Sequence, residues 1–147
     1  MSSNLDNQKS LTAKFIKIEE AWDIEANIQL RTNDCIYHLR PTTLGHPPRN
    51  NDEFREFYTS LKALWTDYKL EVLQTTHDAE THKSVIHAIN YAETPAGPFE
   101  MECIMILSFT EDGTKLKRVE ELADSAYLNE FLERVAKVTM LPTEQSS

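Results

Sequence analysis

A chain of 147 residues fits one domain with one core, and 40% hydrophobic with 27% charged residues is an ordinary globular balance. The formal charge of −9 argues against nucleic acid and anionic membranes as partners, since both need a basic patch and only Lys115, Lys117 and Arg118 cluster. Three glycines form neither a G-x-G-x-x-G nor a P-loop, and no apolar run approaches the roughly 20 residues of a membrane span.

In chain order, MSSNLDNQKS lacks the basic-then-apolar pattern of a secretory signal, so a cytoplasmic protein is expected. Residues 1–9 read as a flexible polar tail and Ser10 as a helix cap. Leu11, Phe15, Ile18 and Trp22 then recur at helical spacing, with Glu19 and Glu20 off that stripe. Asp23 is expected to cap a short helix, IEANIQL, and Asn33-Asp34 to form a turn before the first strand, CIYHLR. Pro41 ends that strand's hydrogen bonding. Asn50 or Asn51 caps a helix whose buried stripe is Phe54, Phe57, Leu61, Leu64 and Trp65. The period then shifts to two. KLEVLQTTHDAE, HKSVIHAINYAE, PFEMECIMILSFT and KLKRVEELAD read as four antiparallel strands, with Asp112-Gly113 the strongest hairpin signal. Asp124-Ser125 opens a last helix through Tyr127, Leu128, Phe131, Leu132 and Val135. Strands grouped after helices predict an α+β domain over 10–140, with 141–147 as a second flexible tail. The expected sheet is curved and antiparallel, covered by helices, with an internal pocket between the layers.

The stretches AWDIEANIQLRTNDCIYHLRP, EFREFYTSL, TPAGPFEMECIMILSFTEDGTKLKRVEELADS and AYLNEFL resemble the SnoaL-like branch of the nuclear transport factor two-like superfamily, over about residues 11 to 137. The segments fitting RP-x-x-LG-x-PP and TP-x-GP resemble the small fungal members that accompany secondary metabolism. The resemblance implies a cone-shaped barrel, a homodimer through the outer sheet face and no cofactor. The superfamily holds isomerases, cyclases, dehydratases and epoxide hydrolases, and also binding proteins without chemistry, so fold does not settle function.

Alternation puts Ile36, His38 and Arg40 on one face of the first strand and Cys35, Tyr37 and Leu39 on the other. By resemblance, the strand-end position of Arg40 is where ketosteroid isomerase places its catalytic carboxylate. An arginine there cannot be a base, but it can stabilise an oxyanion or anchor a carboxylate. The alternative is an arginine salt-bridged at the sheet end. By resemblance to limonene epoxide hydrolase, EELAD places Glu121 at an acid position facing the cavity. The expected catalytic residues are therefore Arg40, Glu121 and His38, the last able to change charge near neutral pH. Glu102, His87, Tyr68, Trp65 and Val119 are expected substrate-binding positions; Glu102 could instead pair across strands with Lys83, His87 or Lys117. Tyr37, Met101, Met105 and Arg118 are expected to face outward. The five histidines show no metal-binding spacing, and Cys35 and Cys103 read as reduced, packed thiols. The expected function is a cofactor-independent isomerase or cyclase, working by acid-base catalysis on an apolar polyketide, terpenoid or alkaloid intermediate. The alternatives are a binding or scaffold protein, or a dehydratase or epoxide hydrolase.

Overall fold

The computed structural model describes residues 3 to 144, so of the expected tails 1–9 and 141–147 the parts 1–2 and 145–147 lie outside the described residues, while 141–144 belong to the last helix. Helix α1 spans Asn4–Ala21, with the Ser3 hydroxyl accepting from the Asp6 amide at 3.0 Å. The expected cap at Ser10 is thus corrected to Ser3, and residues 4–9 belong to a helix rather than a tail. The reason lies in their polar side chains. Asn4 donates to the Ala79 carbonyl at 3.1 Å, Asn7 to that of Asp112 at 2.8 Å, and Gln8 to those of Asp78 and Lys83 at 3.3 and 3.1 Å. These bonds fasten the first turns of α1 to two hairpin ends. Gly113 completes the seam: its φ is +77°, and a Cβ there would stand 2.7 Å from the Asn4 carbonyl oxygen.

Helix α2, Ile24–Gln29, is capped by Asp23 as expected. Strand β1 runs Arg31–Arg40, so no turn separates Asn33-Asp34 from it. An irregularity in pairing between Arg31 and Ile36 absorbs those two polar residues within the strand. Helix α3, Asn51–Lys62, starts on a capping box in which Asn50 and Glu53 bond each other's backbone amides at 2.8 and 2.9 Å. Asn50→Ala is expected to cost about 1 kcal/mol in chemical denaturation, with the midpoint lowered and the slope unchanged.

Strands β2 (Thr66–Asp78), β3 (Lys83–Thr94), β4 (Gly97–Phe109) and β5 (Leu116–Leu122) pair antiparallel in sequence order. Strand β1 closes the sheet against β5 in parallel, giving the order β1-β5-β4-β3-β2. Helix α4, Ser125–Glu144, follows, with the Asp124 carboxylate accepting from the Tyr127 amide at 3.2 Å. It covers one end of the curved sheet, and Phe131 packs edge-on to Trp65 and Phe99. The architecture is the expected α+β cone: alternate residues such as Met101, Cys103 and Met105 point inward, while Glu102, Ile104 and Ile106 point outward and keep solvent contact. Both cysteines are free and buried. Among the described residues no helix is long and apolar enough to cross a membrane.

Candidate active site

Between the inner sheet face and the helices lies a cavity with about 70 Å³ open to the centre of a water-sized sphere. Aromatic rings make much of its wall: Trp22 next to the end of α1, Phe57 and Tyr58 from α3, Trp65, Tyr68 from β2 and Phe99 from β4. Leu128 and Leu132 of α4 close it on one side. Into this apolar lining project two carboxyl groups, Glu19 and Glu121, together with Tyr37 and Asn90. Among the described residues no lysine, arginine or histidine lines it.

Each polar group has a defined hold. The Tyr37 hydroxyl donates to Glu121 Oε1 at 3.0 Å. The Tyr68 hydroxyl donates to Asn90 Oδ1, and Asn90 Nδ2 in turn donates to Cys103 Sγ at 3.0 Å. Glu19 Oε1 accepts from Asn27 Nδ2 at 3.2 Å. Burial pushes the Glu121 carboxyl above its usual range, opposed by the Tyr37 hydrogen bond, which favours the carboxylate. Glu19 is pushed further, to about 7, first by burial and then by the charge of Glu121, against the pull of Arg31 and the Asn27 bond. Both carboxyls are thus raised, and they are coupled, since the charge of Glu121 adds to the rise of Glu19. The pocket presents two interacting acid groups with raised proton affinity, an arrangement suited to acid-base chemistry. Burial also raises the hydroxyls of Tyr37, Tyr58 and Tyr68 well above their ordinary range, so they stay neutral donors.

Of the expected catalytic trio, only Glu121 lies in this cavity. Arg40 is on the opposite face: its Nε donates to Glu120 Oε2 at 3.0 Å and its Nη1 to the Thr42 hydroxyl at 3.0 Å, with the side chain 35% exposed. His38 shares that outer face, where burial and the nearby Arg40 and Arg118 cations lower its proton affinity. Alternation was a sound guide to which residues share a face; the face with the arginine is the outer one. Glu102 and His87 correct likewise, since they face outward and pair across strands at 2.6 Å. Trp65 and Tyr68 line the cavity as expected, whereas Val119 is fully buried on the inward face of β5 without lining it. Tyr37, Met101 and Met105, expected to face outward, are cavity walls; Arg118 does face outward, toward Glu120.

Glu19, Tyr37 and Asn90 line the cavity although the sequence reading did not select them. Two signals pointed to Glu19 and Tyr37. Glu19 continues the four-residue spacing of Leu11 and Phe15, the most buried line of α1. Cys35-Tyr37-Leu39 is also the more apolar of the two β1 faces, the one a core would claim.

Fold and cavity define a class: small α+β cones that enclose an apolar chamber bearing a few acid groups. No family model matches the chain. It is 35% identical over 139 residues to "Monooxygenase dmxR10" of Cryptosporiopsis sp. (strain 8999), covering 93% of each chain. It is 30% identical over 131 residues to an "Ergochrome gene cluster protein" of Claviceps purpurea (strain 20.1), covering 89% of this chain and 86% of that one. Among solved structures, the BvnE pinacolase from Penicillium brevicompactum superposes with a TM-score of 0.85 at 30% identity, over 90% of this chain and 96% of that one. A putative SnoaL-like polyketide cyclase from Shewanella denitrificans OS-217 shares the fold with a TM-score of 0.71 at 10% identity, over 86% of this chain and 96% of that one. The chain belongs to the same family as these fungal relatives, and its fold is that of the SnoaL-like branch of the nuclear transport factor two-like superfamily.

Proposed function

We propose that the protein is a cofactor-independent isomerase or cyclase acting on an oxygenated, apolar intermediate of secondary metabolism, a polyketide, terpenoid or alkaloid. The observation that carries this reading is the pair of carboxyls, Glu19 and Glu121, that line one largely apolar chamber, both with proton affinity raised by burial. In this reading Glu121, oriented by Tyr37, removes a proton from a hydroxyl or from a carbon beside a carbonyl. Glu19 returns a proton to the oxygen or carbon where negative charge develops, and the neutral tyrosine hydroxyls stabilise that charge by hydrogen bonding. Atoms balance without an electron carrier, because one proton leaves and one arrives. Two carboxyls in an otherwise apolar lining favour a neutral substrate over an anionic one. The relative named a pinacolase, a rearrangement enzyme by that word, supports the same class.

The test is incubation of the purified protein with metabolites extracted from a producing strain that lacks the gene, followed by mass spectrometry. A product of unchanged mass supports isomerisation or cyclisation. Loss of water assigns a dehydratase and gain of water an epoxide hydrolase. Gain of one oxygen assigns the activity in several relatives' names, and retention of an unaltered compound assigns a binding protein.

The proposal includes a homodimer through the outer sheet face, where Ile36, Ile89, Ile104 and Ile106 keep partial exposure beside the His87–Glu102 pair. Light scattering at micromolar concentration is expected to give twice the 17.0 kDa chain mass, and the monomer mass would refute this part.

A further inference from the structure

Behind Glu19, away from the chamber, three buried polar side chains form a line. Arg31 Nε donates to Asn27 Oδ1 at 2.9 Å, and Asn27 Nδ2 donates to Glu19 Oε1 at 3.2 Å. Relative exposure is 4% for Arg31, 2% for Asn27 and 6% for Glu19. The Arg31 guanidinium lies 3.8 Å over the Phe54 ring, and its two terminal nitrogens have no hydrogen-bond partner among the described residues. No Arg31–carboxylate ion pair within 4.0 Å occurs among the described residues, so a neutral amide stands between this cation and the acid.

We propose that Arg31 and Asn27 are positioning residues that fix which oxygen of Glu19 carries the transferable proton. An arginine side chain can only donate hydrogen bonds, so the amide oxygen of Asn27 must face it and the NH₂ group must face Glu19. The amide cannot flip without setting two donors against each other on one side. Oε1 of Glu19 is therefore committed as an acceptor, and the proton of the acid form resides on Oε2. The same line tunes the acid. A guanidinium in direct contact would hold Glu19 ionised, whereas one acting through an amide offsets part of the burial penalty and leaves the group able to exchange a proton near neutrality. The charged and titratable groups acting on or with Glu19 are Glu121 and Tyr37 across the cavity, Tyr58, Tyr68, Cys103, and Arg31 behind it. Of these only Arg31 reaches it through a hydrogen-bonded intermediary.

This inference rests on Glu19 acting as the acid of the proposed reaction, but its test needs no substrate. Side-chain NMR of the full-length protein, with labelled carboxyl and amide groups, follows Glu19 and the Asn27 NH₂ together across pH. In the wild type the Asn27 amide signal is expected to move with the Glu19 midpoint; an amide signal that stays flat through that midpoint overturns the relay. Asn27→Asp keeps an acceptor for Arg31 and removes the donor to Glu19. It is expected to raise the Glu19 proton affinity about tenfold or more, and an unchanged midpoint in the folded variant overturns the proposal. Once a substrate is known, the same variant is expected to shift the pH–rate profile in the same direction while KM changes little. A protein that shows the relay by NMR yet converts nothing would refute the enzymatic reading alone.

Discussion

Glu121→Gln is expected to lower turnover by roughly a hundred- to ten-thousandfold, the contribution of a positioned acid-base group, while Arg40→Ala turns over at the wild-type rate. The contrast follows from which way β5 and β1 present their side chains. Glu121 points into the aromatic chamber with Tyr37 donating to it, and glutamine preserves that shape and hydrogen bond while removing the ability to take a proton. Arg40 spends its guanidinium on Glu120 and Thr42 outside the sheet. Tyr37→Phe should fall between them, because losing the hydroxyl leaves Glu121 with burial alone and makes its carboxylate harder to form. Rates on the compound identified from extract, with circular dichroism to verify folding, decide the matter. Loss of activity in Arg40→Ala together with its retention in Glu121→Gln would overturn the site.

The second large effect is on stability. Below about pH 4.5 Glu19 is protonated in both folded and unfolded chains. Above that pH the unfolded chain gives up the proton, while the folded protein keeps it until about 7. The folded state then binds more protons, so stability falls as pH rises across that window and levels off above it. The full separation is worth roughly 3 kcal/mol, taken as an upper order of magnitude. Glu121, also raised, adds loss of the same sign. Glu19→Gln should therefore lose most of this slope and be the more stable protein at pH 8, with little difference from the wild type at pH 4. Guanidinium denaturation of both proteins at these pH values measures it, and parallel pH profiles would show that Glu19 titrates normally.

Local patterns carried most of the fold. The Asn50 box, the Asp23 cap, the Asp112-Gly113 turn and the two-residue period of four strands are all short-range signals, and each formed where its residues indicated. On β5 it was the resemblance that sent Glu121 inward, where the structure has it. What alternation cannot supply is which face of an edge strand meets the core. On β1 the polar Arg40 and His38 drew the functional reading outward, whereas the apolar set with Tyr37 was the wall. Parallel pairing with β5, which sets Leu39 beside Glu121 and brings Tyr37 within reach of that carboxylate, depends on residues some eighty positions apart and has no local signature. Glu19 was hidden for a related reason. A lone carboxylate on a helix reads as solvated until its partners, Asn27 and Arg31, are seen to be buried with it.

Helix α1 carries a mechanical consequence. Its first turns are clamped to the β2–β3 and β4–β5 hairpin ends, and Glu19 stands fifteen residues along the same rod, on the order of 22 Å away. A stiff helix transmits an axial slip or a rotation along its length. Changes at Ala79, Asp112 or Gly113, in the hairpin ends and remote from the chamber, can therefore shift the setting of Glu19. A hairpin tip far from the chamber thereby acts as a distant adjuster of a side chain that lines it.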